Sequence, residues 1–156
     1  MDIGRAVPAD VPAVEALLSA AGLPLDGAAD ALSCGVVARD VGTVVAAAAL
    51  ERYGDAALLR SVVVAPERRG TGLGGGIVAS AEALALAEGV RDLYLLTETA
   101  VDWFPRLGYE PIDRAVAVAA VGESVEFTTV CRDTGVAMWR RLERADPASG
   151  RETPEA

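Results

Sequence analysis

The sequence predicts a single mixed α/β domain, with antiparallel hairpins in its first third and a strand–loop–helix–strand unit in its middle. Its 156 residues are the length of one domain, and 52% of them are hydrophobic, which is enough to form a core without disulfides or metals. Aromatic residues make up only 4%, so Ala, Val and Leu must form most of that core. We expect the domain to occupy residues 1–144 and residues 145–156 to form a flexible tail.

Periodicity and turn residues place the elements along the first half of the chain. Apolar residues recur at helical spacing after Asp10 until Gly22 ends the helix. The nearly continuous apolar run Ala56–Val64 is typical of a strand that is covered on both faces. In order, we predict a strand over residues 3–5, a helix from Asp10 to Gly22, a short helix within residues 25–32, an antiparallel hairpin of strands over residues 36–39 and 43–51, and a strand over residues 56–64.

A glycine-dense loop opens the second half of the chain. Five of the seven residues from Gly70 to Gly76 are glycine, and a helix follows them until Gly89 stops it. No internal repeat is present. The elements predicted after the loop are a helix over residues 77–88, a strand over 92–96, a short helix over 101–107, strands over 109–112 and 125–130, and a last helix over 134–144.

Charge and composition exclude several classes of function. The net charge is −9 and all fourteen positive side chains are arginine, so we expect no nucleic-acid partner and no membrane partner. Histidine is absent, which excludes histidine-based catalysis and most zinc sites, and we expect no metal. We expect a cytoplasmic protein, because no apolar stretch approaches the roughly 20 residues of a membrane span and no signal-peptide pattern is present. Cys34 and Cys131 predict two structural thiols.

The glycine-dense loop predicts an anion site. A helix begins with backbone N–H groups that have no intrahelical acceptor and with the positive end of its dipole. Glycines let the chain turn tightly and let phosphate oxygens approach those groups. The loop has neither the Lys-Ser/Thr ending of a Walker A loop nor the Gly-x-Gly-x-x-Gly spacing of a Rossmann loop. Five glycines at a strand-to-helix junction therefore favour a different phosphate-bearing ligand.

Three segments carry a resemblance to a known family. Residues 62–66 read VVVAP, residues 69–74 read RGTGLG, and residues 100–109 read AVDWFPRLGY. They resemble, in turn, the strand end, the Arg/Gln-x-x-Gly-x-Gly/Ala motif and the Ala-x-x-φ-Tyr-x-x-x-Gly-Phe segment of the GCN5-related N-acetyltransferases (GNAT family). The resemblance covers about residues 1–131. Shorter segments, among them ALERYG at residues 49–54 and LLTETA at residues 95–100, further resemble the small acetyltransferases found beside arsenic-resistance genes.

The resemblance implies a GNAT fold, which is a central mixed, mostly antiparallel twisted sheet with helices on both faces. It also implies acetyl-CoA as co-substrate, with its pantetheine arm paired to the cofactor strand and its pyrophosphate on the glycine-rich loop. Arg68 or Arg69 would add positive charge there. The residues that the resemblance assigns to acetyl-CoA binding are Val62, Val63, Val64, Arg69, Gly70, Thr71, Gly72, Leu73, Gly74, Gly75 and Phe104.

Acetyl transfer to an amine needs a proton acceptor and a donor for the developing negative charge. Many family members have a tyrosine that protonates the leaving thiolate, and the matching residue here is Phe104. Tyr94 and Tyr109 are candidate substitutes, or else residues that pack in the core. Glu51 is the predicted base, because it ends an apolar strand before the turn into the cofactor strand; the alternative is an exposed hairpin-end charge. Ser61 is predicted to position a water, or else to be a satisfied core hydroxyl.

Arg60 interrupts an otherwise apolar strand, where a charge needs a partner or a ligand. One interpretation is a salt bridge to Glu51 or Glu126. The other is a clamp on a substrate carboxylate, which suits the guanidinium fork. Thr97 and Thr99 follow the next strand and would complete a pocket for a small amino acid or an analogue of one.

These observations together predict an acetyl-CoA-dependent N-acetyltransferase that acts on the amine of a small molecule. The arsenic-resistance resemblance extends this prediction to an amino-acid-like arsenical or another toxic analogue, and so to detoxification. Two alternatives stay open: a non-catalytic acyl-CoA sensor, which Phe104 would fit, and a protein N-acetyltransferase. Relatives commonly dimerise through late strands and the last helix, so a homodimer is a further expectation.

Overall fold

The computed structural model describes residues 1–124 and 135–143. The strands of this part are β1 (Asp2–Arg5), β2 (Gly35–Asp40), β3 (Thr43–Tyr53), β4 (Ala56–Val64), β5 (Asp92–Thr97), β6 (Glu110–Pro111) and β7 (Val136–Arg141). They form one sheet in the order β1-β2-β3-β4-β5-β7-β6. The α-helices are α1 (Val11–Ala20), α2 (Ala28–Ala31), α3 (Leu73–Ala87) and α4 (Arg114–Val121), and the 3₁₀ helices are Pro8–Asp10, Leu32–Cys34, Pro66–Arg68 and Phe104–Leu107.

The pairing of β4 with β5 is parallel, whereas every other strand pair in the described residues is antiparallel. This parallel pairing is short. It joins Ala56, Ala57 and Leu58 to the first residues of β5 and then stops, although β4 continues to Val64. The two strands therefore separate in the middle of the sheet, and a cleft opens between them.

Helices cover both faces of the sheet, as the sequence predicts. Side chains alternate between the faces along each strand, so neighbouring residues enter different cores. Val36 and Ala38 pack under α3, whereas Val37 between them packs under α1 and α2. In β4, Leu59 packs under α3 and Leu58 packs under α4. The mixed, mostly antiparallel α/β architecture is thus confirmed.

Most predicted elements of the first 97 residues are present, with ends shifted by a few residues. The largest shift is at α3, which begins at Leu73 and not at residue 77 because its first turn includes glycines that were assigned to the loop. A Cβ added to Gly74 would lie 3.0 Å from the indole of Trp103, so this helical turn needs a glycine to pack closely.

The predicted last helix over residues 134–144 is wrong. Its described part forms β7, which pairs with β5 over six residues and with the two residues of β6. Asp92 of β5 accepts from the Trp139 indole at 2.9 Å and pairs with Arg141 at 2.9 Å. Pairing with β5 therefore outweighs the local helix propensity of this segment.

Two other elements differ between residues 100 and 135. The predicted helix over 101–107 is reduced to the 3₁₀ helix Phe104–Leu107, in which Pro105 cannot donate a backbone hydrogen bond. Helix α4 was missed, although Asp113 accepts from the Ala115 N–H as a typical N-cap. The predicted strand over residues 125–130 and the tail over 145–156 lie outside the described residues. No helix of the described part is long and apolar enough to cross a membrane.

The β2–β3 turn provides a test of the hairpin geometry. Val41 and Gly42 form a two-residue turn with φ of +50° and +79°, and Val41 is 96% exposed. A β-branched residue is strained in this region, whereas Asn-Gly is the preferred pair for such a turn. We expect Val41→Asn to raise the free energy of unfolding by about 1 kcal/mol. Denaturant unfolding measures the change, and a loss of stability would contradict the assigned turn.

Candidate functional site

The cleft between β4 and β5 contains two adjoining cavities. The first, here called the strand cavity, has a volume of about 340 Å³ and is lined by both strands, with Arg60 and Ser61 on one side and Thr97 on the other. The second, the loop cavity, has a volume of about 570 Å³ and reaches the glycine-rich loop. The residues that line both cavities are Leu23, Val62, Thr99, Ala100 and Phe104. One continuous cleft therefore connects the loop to the polar end of the strands.

A β-bulge shapes the β4 side of the cleft. Ala47 pairs with Val63 and Ala49 pairs with Arg60, so β4 has one residue more than β3 across this interval. Ser61 lies in the bulge with a φ of +58°, in the left-handed region. The extra residue of a bulge is left out of the strand pairing, so the backbone here departs from β3 beside the cleft.

The glycine-rich loop forms the opposite end of the loop cavity. Gly70 and Gly72 have φ of +78° and +86°, and a Cβ added to either would meet no other atom within 4 Å. Gly72 is the N-cap of α3, and no side chain caps the helix. The Gly76 N–H donates to the Gly72 carbonyl, which is the regular i to i−4 bond of the helix. The N–H groups that precede Gly76 in the first turn have no intrahelical acceptor. Open space, left-handed glycines and an uncapped helix end fit a phosphate group.

Most residues predicted to bind the cofactor line this cleft. Those that do are Val62, Val63, Val64, Arg69, Gly70, Gly72, Gly74, Gly75 and Phe104. The side chains of the other two lie elsewhere: Thr71 donates to the Arg68 carbonyl at 2.5 Å, and Leu73 is buried in the core. Of the two candidate arginines, Arg69 lines the loop cavity, whereas Arg68 pairs with Asp40 at the hairpin.

Trp103 and Leu23 also line the loop cavity, and sequence reasoning missed both. Trp103 lies over Gly74 and contacts Phe104 edge-to-face, with ring centroids 4.9 Å apart. Leu23 comes from the segment after α1. Its preceding residue, Gly22, was assigned only as a helix stop, and the sequence carries no signal that this segment folds over the cleft.

Glu51 and Arg60 form an ion pair in which Arg60 Nη1 lies 2.9 Å from Glu51 Oε2, as the salt-bridge interpretation predicts. The Arg60 side chain is fully buried and the Glu51 side chain is 16% exposed. Arg60 Nε also donates to Ser61 Oγ at 3.1 Å, and the Tyr53 hydroxyl donates to Glu51 Oε1 at 2.7 Å. The alternative partner, Glu126, lies outside the described residues.

This network sets the charge of Glu51. Burial raises the pKa of its carboxyl, but hydrogen bonds from Arg60, Ser124 and Tyr53 outweigh burial, and the pKa lies below its usual value. Glu51 is therefore ionised throughout the neutral range. The contribution of Tyr53 was missed, although residues two apart on one strand share a face.

The nearby tyrosine hydroxyls do not line the cleft. Tyr109 is buried and donates to Glu82 Oε2 at 2.8 Å. Burial, together with that carboxylate, raises the pKa of Tyr109 far above its usual value. Tyr94 packs in the core under α4. Phe104, which does line both cavities, has no polar atom on its side chain.

The end of β5 provides the remaining polar groups of the strand cavity. Thr97 is buried, and its Oγ1 accepts the Ala100 N–H at 2.9 Å, which closes the turn after the strand. Thr99 and Glu98 are exposed at the rim. Glu98 was not singled out from the sequence, because an exposed carboxylate in a turn carries no pattern of its own.

A third cavity, of about 510 Å³, lies outside this cleft and is lined by Cys34, Glu51, Tyr53 and Glu123 among others. Burial raises the pKa of the Cys34 thiol, which keeps it protonated. Cys131 lies outside the described residues. Within residues 1–124 and 135–143, no group of three or more metal-ligating side chains occurs.

Comparison with family models identifies the domain. A model described as an acetyltransferase (GNAT) domain matches residues 31–111, just over half of the chain. The chain belongs to the GNAT acetyltransferase family. This membership confirms the GNAT resemblance and the predicted class of enzyme, a GNAT-type acyltransferase. A comparison with curated proteins gives no match.

Solved GNAT structures share the fold. The N-acetylglutamate synthase of Neisseria gonorrhoeae, complexed with coenzyme A and N-acetyl-glutamate, superposes with a TM-score of 0.77 at 20% identity over 92% of this chain. This chain spans only 35% of that protein's length. A Mycobacterium tuberculosis protein in complex with CoA gives 0.74 at 22% identity, covering 92% of this chain and 100% of its own. An aminoglycoside 6'-N-acetyltransferase complexed with coenzyme A superposes with a TM-score of 0.68 at 17% identity. The match covers 94% of this chain and 100% of that protein.

Replacing Gly72 tests the assignment of the loop. We expect Gly72→Asp to weaken acetyl-CoA binding on the order of 100-fold, about 3 kcal/mol, because it adds a negative charge where the GNAT domain presents its uncapped helix. Gly89→Asp is the matched control, since Gly89 also has a left-handed φ, of +90°, and no atom within 4 Å of an added Cβ, but it follows the C-terminal end of α3. Calorimetric titration measures both, and equal affinities would contradict the assignment.

Replacing Glu51 tests its ion pair through the pH dependence of stability. A lowered pKa in the folded state means that the charged form adds stability above the unfolded pKa of about 4.3, and that this stability is lost as the pH falls through the folded value. We expect Glu51→Gln to reduce the free energy of unfolding by about 2 kcal/mol at pH 7 and by progressively less at acid pH. A deficit that does not change with pH would contradict the pair.

Proposed function

We propose that the protein is an acetyl-CoA-dependent N-acetyltransferase of a small amine that also carries a carboxylate or a similar anion. The single observation that carries this proposal is the continuous cleft between β4 and β5. At one end it presents an open, uncapped glycine loop, and at the other a buried arginine beside polar side chains. These two ends suit an anionic cofactor and a small polar acceptor.

The loop cavity fits acetyl-CoA, which would supply the acetyl thioester. The first turn of α3 and Arg69 would hold the pyrophosphate. The β4 segment at Val62, Val63 and Val64 lines the cavity with an edge that β5 has left, so an extended pantetheine arm can lie along it. The presence of coenzyme A in the three similar structures supports this assignment.

The strand cavity would hold the acceptor. A volume of about 340 Å³ suits a small molecule and not a protein segment. Arg60 lines this cavity, and its guanidinium has five N–H donors, so it can bind a carboxylate beside its bond to Glu51. Thr97 and Thr99 would contact the rest of the acceptor. N-acetyl-glutamate in the Neisseria synthase is an amino-acid product of this kind.

Glu51 is the proposed proton acceptor, acting through water. Its low pKa makes it a weak base, and it lines the cavity that contains Cys34 and not the strand cavity, so we assign it the removal of a proton from the bound ammonium through a chain of waters. Arg60 binds the same carboxylate and keeps it in place. Because Glu51 is ionised throughout the neutral range, the acceptor's own amine would set the pH dependence of the rate there.

The acceptor class that we propose is an amino acid or an amino-acid-like toxic analogue, including arsenicals. The support is the resemblance of residues 49–54, 59–61 and 95–100 to acetyltransferases found beside arsenic-resistance genes. These segments contribute Glu51, Arg60, Ser61, Thr97 and Thr99, which are the proposed acceptor-side residues. Acetylation would block the amine of such an analogue, which is a detoxification reaction.

The release of CoA thiol from acetyl-CoA tests the function. The panel contains free amino acids, amino-acid-like arsenicals and phosphinates, the same compounds with esterified carboxylates, and peptides. We expect turnover of a free amino-acid-like compound and at least tenfold lower kcat/KM for its ester, because the ester lacks the charge that Arg60 binds. Turnover of peptide amines alone would instead favour a protein acetyltransferase. Acetyl-CoA binding without turnover of any amine would favour a sensor.

A further inference from the structure

Ser61 adopts a backbone conformation that serine rarely takes. Its φ of +58° lies in the left-handed region, in the middle of the buried strand β4. Backbone strain of this kind persists only where the surroundings hold it, and it concentrates at functional sites. Ser61 is only 8% exposed, and it is one of the residues that line the strand cavity. This strained residue therefore lies in the wall of the cavity to which the proposed function assigns the acceptor.

Arg60 holds the hydroxyl of Ser61. Its Nε donates to Ser61 Oγ at 3.1 Å while its Nη1 donates to Glu51 at 2.9 Å. A guanidinium has no acceptor, so Ser61 Oγ must accept this hydrogen bond and the hydroxyl keeps its own proton for another acceptor. A bond from a cation also polarises the hydroxyl and makes it a stronger donor.

Other walls of the cleft offer weaker donors. Phe104 presents an apolar ring, and the neighbouring tyrosine hydroxyls lie elsewhere. Among the described residues that line the strand cavity, the other hydroxyls are those of Thr97 and Thr99. Thr97 closes the turn after β5, and Thr99 is exposed at the rim. Ser61 is the hydroxyl that combines burial, strain and contact with a cation.

We propose that the Ser61 hydroxyl donates a hydrogen bond to the thioester sulfur as the C–S bond breaks, with Arg60 as its positioning residue. The amine nitrogen forms the C–N bond with its lone pair, and the C–S electron pair leaves on sulfur. The bound ammonium first loses one proton, which passes by way of Glu51 to solvent and leaves the carboxylate ionised again. The second proton, which nitrogen loses as the C–N bond forms, then goes through water to Glu51. Ser61 keeps its own proton and stabilises the negative charge on sulfur. This inference rests on the proposed function.

A binding experiment tests the hydrogen bond without turnover. CoA is titrated into the protein between pH 7 and pH 10, with desulfo-CoA as the probe that lacks sulfur. We expect wild-type affinity for CoA to rise as its thiol ionises, and Ser61→Ala to weaken thiolate binding about tenfold to a hundredfold, the size of one hydrogen bond to a charged atom. Desulfo-CoA should bind both proteins equally. Ser19→Ala, on the exposed face of α1, is the control and should behave as wild type.

Kinetics test the same bond in the reaction. We expect Ser61→Ala and Ser61→Gly to lower kcat about tenfold to a hundredfold with little change in the KM of acetyl-CoA. Both variants lose the bond to Arg60, but Ser61→Gly also relieves the left-handed strain and should melt at a higher temperature than Ser61→Ala. Equal loss of kcat in two variants of different stability separates the hydroxyl's role from folding. Phe104→Tyr, which adds a phenol to the facing wall, should partly restore kcat in Ser61→Ala.

A double-mutant cycle tests the positioning role of Arg60. Arg60→Lys keeps a charge beside Glu51 but has no Nε–H to donate to Ser61. Ser61→Ala should therefore lower kcat much less in the Arg60→Lys protein than in the wild type. Unchanged kcat and unchanged pH dependence of CoA binding in Ser61→Ala would overturn the inference alone. A wild-type protein that acetylates no amine would overturn both the inference and the proposed function.

Discussion

The separation of β4 from β5 is the constraint on which the rest of this structure depends. The two strands run parallel and pair at only three positions, and the bulge at Ser61 then interrupts the pairing of β4 with β3 on its other side. A sheet that stayed paired would leave neither room for a ligand nor an unpaired strand edge to bind one. Helix α3 packs under Leu59 of β4, and its uncapped first turn lines the loop cavity. One local loss of pairing thus creates the cavity, the strand edge and the approach to the helix.

Opening a sheet in its interior exposes polar backbone and strains the chain, so other contacts must offset the cost. The Glu51–Arg60 pair does this on one side, because it joins β3 to β4 directly beside the bulge and bonds the Ser61 hydroxyl. On the other side, Trp103 covers Gly74 and Phe104 packs against Tyr109, with ring centroids 5.7 Å apart. Separating the two partners of a buried ion pair would leave an uncompensated buried charge, so the pair resists any change in this geometry.

Local patterns in the sequence predict most of the fold and the end of the cleft that the glycine-rich loop forms. The apolar run of β4, the hairpin turn at Val41 and the glycine loop each carry their signal within a few residues. The strand β7 could not be predicted this way, because its partners on β5 lie 39 to 49 residues away. The polar end of the cleft was only partly predictable: Arg60 is conspicuous in an apolar strand, but its pairing with Glu51 depends on the β3–β4 register. Trp103 and Leu23 reach the cleft only through tertiary packing.

The central claim is that the gap between β4 and β5 is the binding site of acetyl-CoA. A crystal structure of the protein with CoA tests it most directly. The account predicts the pyrophosphate against the first turn of α3 beside Arg69, the pantetheine arm along the free edge of β4, and the thiol near Ser61. CoA bound in the cavity that contains Cys34, or a sheet in which β4 and β5 stay paired with CoA on the outside, would contradict it.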